Sequence, residues 1–125
     1  MISVAIAGII LRCGLAFVFL FAGMDKLLHW RESIDEVNGL GLPVPALFSA
    51  ATIVTQLVGG LMVATGYGAA LGALALGGFT VLATIFGHRF WLLRGQPARR
   101  EFTTALEHLA ITSGLLLLAL GDIAA

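Results

Sequence analysis

The sequence predicts an all-α integral membrane protein, built as a bundle of four transmembrane helices with both termini external or periplasmic. Hydrophobic residues make up 59% of the 125 residues and charged residues only 11%, whereas soluble domains carry about 25% charged residues. Apolar runs of about 20 residues, the length that crosses a bilayer, occur four times. Because little chain remains outside these runs, a single transmembrane domain covering 1–125 is expected.

Polar or glycine- and proline-rich stretches separate the four predicted spans. The polar stretch 29–38 closes the first span, and the glycines and prolines of 39–45 break one helix and begin the next. A short uncharged turn at 66–68 separates the second and third spans, and a basic loop at 87–100 separates the third and fourth. The predicted helices are about 2–28, 45–65, 69–86 and 101–120.

The basic residues predict the orientation of the bundle. Six of the seven Lys and Arg residues fall in two short segments, which lie on one side of the membrane because two helices separate them. They are Lys26, Arg31, Arg89, Arg94, Arg99 and Arg100. The positive-inside rule assigns that side to the cytoplasm, so the termini and the 66–68 turn are expected on the other side.

Composition and missing motifs exclude several classes of function. The formal net charge is zero, which disfavours nucleic acid as a partner. Cys13 is the only cysteine, so an internal disulfide, a dithiol redox pair and a thiolate metal site are excluded. No phosphate-binding loop or nucleophile motif is present. The histidines and Glu107 lack metal-ligand spacing, so no metal site is expected.

Polar residues within the predicted spans are the best sequence evidence for a function, because charges are costly in hydrocarbon. Arg12 is expected roughly 22 Å inward from the cytoplasmic edge at a rise of ~1.5 Å per residue, and Gln56 at a similar depth. Gln56 shares one helical face with Ser49, Thr52 and Gly60. Two interpretations of Arg12 remain open. Its guanidinium bonds to the Gln56 carbonyl and backbone oxygens, or it extends outward to the external headgroups.

A second group of polar residues is expected near the cytoplasmic ends of three helices. Lys26 ends the first predicted helix, His88 ends the third, and Glu107 and His108 lie about two turns into the fourth. An isolated carboxylate is costly at that depth, so Glu107 is expected to pair with Lys26 or Arg89. Lys26, His88, Glu107 and His108 are predicted to border a ligand pocket or a proton relay. A structural ion-pair network is the alternative.

Two other patterns concern anchoring and packing. Phe90 and Trp91 follow the third span and predict an aromatic anchor at the membrane interface. Small residues recur at every fourth position, which allows helix backbones to approach closely. They are Ala64, Gly68 and Gly72, and Ala69, Ala73 and Gly77. Tight packing of the second and third spans within one subunit is the first interpretation, and a dimer seam is the second.

Several short motifs follow one another along the chain. They are Leu11-Arg12, the segment 21–27, Gly41-Leu42-Pro43, Gly59-Gly60, His88 with Phe90 and Trp91, and the segment 114–119. In this order they resemble the DoxX-like family of small bacterial membrane proteins, and the His88 motif is the most specific of them. The resemblance covers essentially the whole chain. It implies a multi-pass protein of the bacterial inner membrane, and some family members are subunits of thiosulfate:quinone oxidoreductases.

The function expected from these observations is that of an accessory membrane subunit, not catalytic alone. It would bind a hydrophobic ligand, a quinone or a lipid, and work with another membrane protein or a second copy of itself in a membrane redox system. A quinone-linked oxidoreductase subunit, in which His88 or His108 relays protons, is the alternative. A small multidrug-type transporter is disfavoured, because such transporters need an acidic residue where this chain has Arg12.

Overall fold

The computed structural model describes residues 3–87 and 90–124, and every regular element within them is helical. The elements are α1 Val4–Leu28, α2 Trp30–Gly39, α3 Pro45–Thr65, α4 Ala69–Gly87, a 3-10 turn Phe90–Leu92, and α5 Gln96–Ala124. Of these, α1, α3, α4 and α5 are long and apolar enough to cross a membrane. The predicted all-α bundle of four membrane helices is therefore confirmed.

The four spanning helices pack in the order in which they occur along the chain. α1 packs against α3, α3 against α4, and α4 against α5, whereas α1 and α5 contact each other only sparsely. One end of the bundle, here called the terminal face, holds the start of α1, the turn 66–68 and the end of α5. The opposite end, here called the α2 face, holds α2, the 3-10 turn and the start of α5. The assignment of the α2 face to the cytoplasm stays a prediction from charge.

The polar stretch 29–38, predicted only to close the first span, forms a separate helix, α2. Ser33, Ile34 and Val37 lie on its protein-facing side, and its charged side chains are exposed. The Ser33 hydroxyl donates a hydrogen bond to the Ser49 hydroxyl of α3 at 3.1 Å, and both residues are buried. A helix with one apolar and one charged face is stable at a membrane interface, which explains why this stretch is helical without spanning the bilayer.

The last helix, α5, extends beyond the predicted 101–120 at both ends. Pro97 lies in its first turn, where the missing N–H leaves no intrahelical hydrogen bond unmade. The N–H of Arg99 donates to the carbonyl oxygen of Gly95 at 3.1 Å. Arg99, predicted in a loop, therefore lies in the first turn of α5.

The core lies where the four spanning helices meet, and glycines bring α3 and α4 together. Its buried apolar residues are Ala16, Phe19, Val63, Ala73, Leu76, Leu115 and Ala119. A methyl group added at Gly72 would lie 2.8 Å from Cβ of Met62 and 3.0 Å from the carbonyl oxygen of Gly59. The spacing of small residues therefore serves close contact between α3 and α4 within one subunit, in line with the first interpretation of the pattern.

Candidate functional site

A cavity of about 670 Å³ lies at the terminal face between α1 and α5. It is lined by Gly8, Leu11, Arg12 and Leu15 of α1, by Thr65, Gly66 and Ala69 at the turn from α3 to α4, and by Gly114, Leu118, Gly121 and Asp122 of α5. Ligand pockets commonly measure about 300–1,000 Å³. The cavity therefore has the size of a small-molecule or headgroup site.

Glycines keep this cavity open, because they leave out side chains where α1 and α5 approach each other. A methyl group added at Gly114 would lie no closer than 3.9 Å to Leu15, and one added at Gly121 would meet no heavy atom within 4 Å. Gly66 ends α3 with a φ of 79°, a conformation that residues with a Cβ rarely adopt. This sharp turn lets the chain pass directly from α3 to α4 beside the cavity.

Arg12 places its guanidinium group beside that turn. A Cβ built on Gly66 would lie 3.5 Å from Nη2 of Arg12, and one built on Gly8 would lie 3.5 Å from Nη1. The Nε atom is buried without a hydrogen-bond partner, and among residues 3–87 and 90–124 Arg12 makes no ion pair. Arg12 therefore extends toward the terminal face, in line with the second of its two interpretations.

Gln56 lies at a different depth, so the expectation of similar depth is wrong. Its Cβ would lie 3.1 Å from a Cβ built on Gly23, and Gly23 is roughly 16 Å along α1 from Arg12 at 1.5 Å per residue. The antiparallel register of α1 and α3 is the cause, since it sets Cys13 Sγ 3.9 Å from the carbonyl oxygen of Ala64. Gln56 is buried, and its Oε1 has no hydrogen-bond partner within the described residues.

Asp122 is the candidate residue that the sequence analysis missed. It lies near the end of α5, lines the same cavity as Arg12, and accepts a hydrogen bond from the backbone N–H of Ala70 at 3.2 Å through Oδ2. The first N–H groups of a helix lack intrahelical partners, and here a side chain from another helix supplies one. The available signal was the pair of opposite charges near the two termini, on the same predicted side of the membrane.

The four residues predicted to form a site at the α2 face are only partly covered by the structure. His88 lies outside the described residues, as does Arg89. Lys26 and His108 are partly buried, whereas Glu107 is exposed. Within the described ranges no Lys, Arg or His nitrogen lies within 4.0 Å of the Glu107 carboxylate. The expected ion pair between Glu107 and Lys26 is therefore wrong.

His108 joins α5 to α4 through Thr84. Its Nδ1 lies 2.7 Å from the Thr84 hydroxyl oxygen, which also lies 2.8 Å from the carbonyl oxygen of Thr80. A smaller cavity of about 250 Å³ opens at this face, lined by Gly39, Leu40, Phe86, Gly87, Leu92, Leu93 and Glu101. Neither cavity is lined by Lys26, Glu107 or His108. The three described members of the predicted site therefore line neither of these two cavities.

The 3-10 turn at the α2 face contains Phe90 and Trp91, and the Trp91 side chain is exposed. Their role as an interfacial anchor stays a prediction.

An ion pair between His29 and Asp25 closes α1 at the α2 face. His29 Nδ1 lies 3.0 Å from the backbone carbonyl oxygen of Asp25 and 3.3 Å from its Oδ1. The hydrogen bond to the backbone carbonyl, followed by the negative charge of the Asp25 carboxylate, raises the pKa of His29 above its usual value. A protonated imidazole is also favourable at a helix C-terminus, where the helix dipole is negative.

Four apolar helices around a shared apolar core, with a charged cleft at one end, define a multi-pass integral membrane protein. The family model for DoxX matches residues 7–89. The chain therefore belongs to the DoxX family, as the sequence motifs suggested.

The chain is similar to the inner membrane protein YphA of Escherichia coli (strain K12), with 20% identity over 112 residues that cover 90% of this chain and 80% of the relative. No solved structure matches the chain. The expected location, a bacterial inner membrane crossed several times, is confirmed.

Proposed function

We propose that this DoxX-family protein is an accessory membrane subunit, not catalytic by itself, that binds an amphipathic ligand in the cleft between α1 and α5. The observation that supports this proposal is a cavity of about 670 Å³ that is lined both by leucine side chains and by two charged residues, Arg12 and Asp122. Leu11, Leu15 and Leu118 offer apolar surface to the tail of a lipid or a quinone. Arg12 offers hydrogen-bond donors to the oxygen atoms of a headgroup or a quinone ring.

The charge of Arg12 indicates that the cavity holds a ligand and is not only a gap in the helix packing. Charged side chains within the membrane face a cavity or a partner, and Arg12 faces the cavity without an ion pair among the residues that the structure describes. The cleft lies between α1 and α5, which contact each other only sparsely. We expect a ligand dissolved in the bilayer to enter between these two helices.

The polar residues at the α2 face are the second candidate location. The hydrogen bond between His108 and Thr84 favours it, because it orients an imidazole ring of the kind that a proton relay to a quinone requires. This location has weaker support, since neither cavity is lined by Lys26, Glu107 or His108.

Association with a membrane redox system is the finer part of the proposal and rests on the family resemblance. Cys13 is the only thiol, so a redox partner has to supply the electron-transfer groups. Identification by mass spectrometry of proteins that co-purify in mild detergent tests this part.

The binding proposal is tested by filling the cleft with a side chain. Gly114→Leu adds an isobutyl group to the cavity wall, whereas Gly78→Leu adds the same group to an exposed position of α4 where a Cβ meets nothing within 4 Å. A short-chain quinone and a short-chain phospholipid are titrated separately into wild type and both variants in detergent. We expect Gly114→Leu to weaken binding of at least one ligand by about tenfold or more, which corresponds to about 1.4 kcal/mol. Gly78→Leu is expected to leave it unchanged.

Two outcomes contradict the cleft as the binding site. Equal affinities for wild type, Gly114→Leu and Gly78→Leu would show that the cleft binds neither ligand. A loss of binding in His108→Ala, with Gly114→Leu unaffected, would assign the ligand to the α2 face instead.

A further inference from the structure

The cleft at the terminal face carries two opposite charges that form no ion pair with each other. Arg12 and Asp122 both line it. Within the described ranges, the ion pair whose nitrogen and oxygen atoms lie within 4.0 Å of each other is that of His29 with Asp25. Arg12 and Asp122 do not approach each other this closely. Among the charged side chains of residues 3–87 and 90–124, Arg12 and Asp122 are the two that line this cavity. The described lining of the cleft therefore carries one positive and one negative side chain.

Each of the two side chains has bonding capacity that the described protein atoms leave unused. A guanidinium group carries five N–H donors, and the buried Nε of Arg12 has no hydrogen-bond partner. Asp122 accepts the N–H of Ala70 through Oδ2, and its second carboxylate oxygen can accept from another donor. The donors of Arg12 and the free acceptor of Asp122 define the chemistry that a ligand has to match.

A ligand with charge of one sign matches only half of this site. An anionic headgroup satisfies Arg12 but is repelled by Asp122, and a quinone carbonyl accepts from Arg12 but offers Asp122 no donor. A headgroup that carries a phosphate and a primary ammonium group matches both, since the phosphate accepts from a guanidinium and the ammonium donates to a carboxylate. A quaternary ammonium group has no N–H and cannot make the second contact.

We infer that the cleft between α1 and α5 binds a zwitterionic phosphoethanolamine headgroup, with the phosphate on Arg12, the ammonium on Asp122, and the acyl chains against Leu15 and Leu118. This inference rests on the proposed function, because it names the class of ligand that the same cleft takes. Both charged residues lie at the terminal face, where a lipid headgroup meets the ends of the helices. The arrangement also explains why Arg12 faces the cleft although no carboxylate of the described residues lies within 4.0 Å of its guanidinium group.

Lipid retention by the wild-type protein is the direct test. Native mass spectrometry is used to compare phosphatidylethanolamine, phosphatidylglycerol and phosphatidylcholine with identical acyl chains, beside a short-chain quinone. Soluble phosphoethanolamine and inorganic phosphate test the headgroup and the anion alone. We expect phosphatidylethanolamine to be retained about tenfold more strongly than either other lipid, since each competitor lacks one charge-assisted contact. Soluble phosphoethanolamine should compete with it and inorganic phosphate should not.

Two variants assign the contacts. Arg12→Gln should lower retention of phosphatidylethanolamine about tenfold. Asp122→Asn keeps an oxygen acceptor for the Ala70 N–H and removes the charge, so it should abolish the preference over phosphatidylcholine and increase retention of phosphatidylglycerol. Arg94→Gln and Asp35→Asn, which change exposed charges at the α2 face, are the matched controls and should change nothing. The lipid comparison on wild type remains decisive where a variant fails to fold.

The results that overturn this inference differ from those that overturn the proposed function. Equal retention of the three lipids, or strongest retention of phosphatidylglycerol, overturns the phosphoethanolamine assignment. If Gly114→Leu still weakens the binding of a quinone or another lipid in that case, the cleft remains a binding site with a different ligand. Should no ligand respond to Gly114→Leu, both proposals fail.

Discussion

Asp122, near the C-terminus, caps the N-terminal end of α4 by accepting a hydrogen bond from the backbone N–H of Ala70 at 3.2 Å. Losing a side-chain cap costs a helix about 1 kcal/mol. We expect Asp122→Ala to lower the free energy of unfolding by that amount and Asp122→Asn to lower it less, because asparagine keeps the acceptor. Reversible unfolding in mixed micelles, followed by circular dichroism, measures both. Asp35→Ala, on the exposed side of α2, is the control, and an equal effect of Asp35→Ala and Asp122→Ala would contradict the capping role.

Close packing of α3 against α4 makes Gly72 sensitive to a single methyl group. An added Cβ would lie 2.8 Å from Cβ of Met62 and 3.0 Å from the backbone oxygen of Gly59, so the helices have to separate. Overpacking of this kind costs about 1–3 kcal/mol, and we expect Gly72→Ala to reduce stability by that amount. Gly78→Ala lies on the same helix in open space and should be neutral or slightly stabilising. The same unfolding assay compares them, and equal stability of the two variants would refute the packing argument.

The buried hydrogen bond between Ser33 and Ser49 attaches α2 to the bundle. Removing one hydroxyl leaves the other buried without that partner, which costs about 1–3 kcal/mol. We therefore expect Ser33→Ala and Ser49→Ala each to destabilise the protein, and the double variant to cost less than the sum of the two. A double-mutant cycle measures this coupling. Ser113→Ala, at an exposed position of α5, controls for the substitution itself, and strict additivity would show that the two hydroxyls do not interact.

The pairing of His29 with Asp25 predicts a pH-dependent stabilisation of the end of α1. The pKa of His29 is raised in the folded protein by the backbone carbonyl and the carboxylate of Asp25. Because the folded-state pKa lies above the unfolded-state value, the stabilisation is complete below the usual histidine pKa of about 6.5 and is lost as the pH rises through the folded-state pKa.

An NMR titration of the imidazole measures this pKa directly. Asp25→Asn should move it down while leaving it above the usual value, since the backbone carbonyl remains. The spectrum of His29→Gln assigns the resonance. A wild-type pKa at or below the usual value would contradict the contact.

The charge distribution predicts the orientation that the bundle itself does not reveal. A reporter fused after Ala125 should be active only in the periplasm, and one inserted at Gln96 should be active only in the cytoplasm, because basic residues cluster at the α2 face. Changing Arg94, Arg99 and Arg100 together to Gln should weaken this bias and produce mixed signals. Reversed signals in the unchanged chain would overturn the assignment of the two faces.

The sequence by itself determined the four spanning helices of this protein. Apolar runs of about 20 residues have one solution in a bilayer, because backbone groups in hydrocarbon have to be satisfied within the segment. Glycine and proline mark the ends of α3 with the same clarity, at Pro45 and Gly66. The inward side of α3 also followed from periodicity, since Ser49, Gln56 and Gly60 share a face and all are buried.

Only the tertiary structure decided which polar groups meet. Depth along a helix can be counted from the sequence, but the register between two helices depends on side-chain packing, and that register separates Gln56 from Arg12. The helix α2 was missed because it is too polar to span the bilayer, and its position depends on the contact of Ser33 with Ser49. Arg12 and Asp122 lie 110 positions apart in the chain and line one cleft because the first and last helices of the bundle become neighbours. No local pattern encodes that proximity, since it arises from the way all four spanning helices pack.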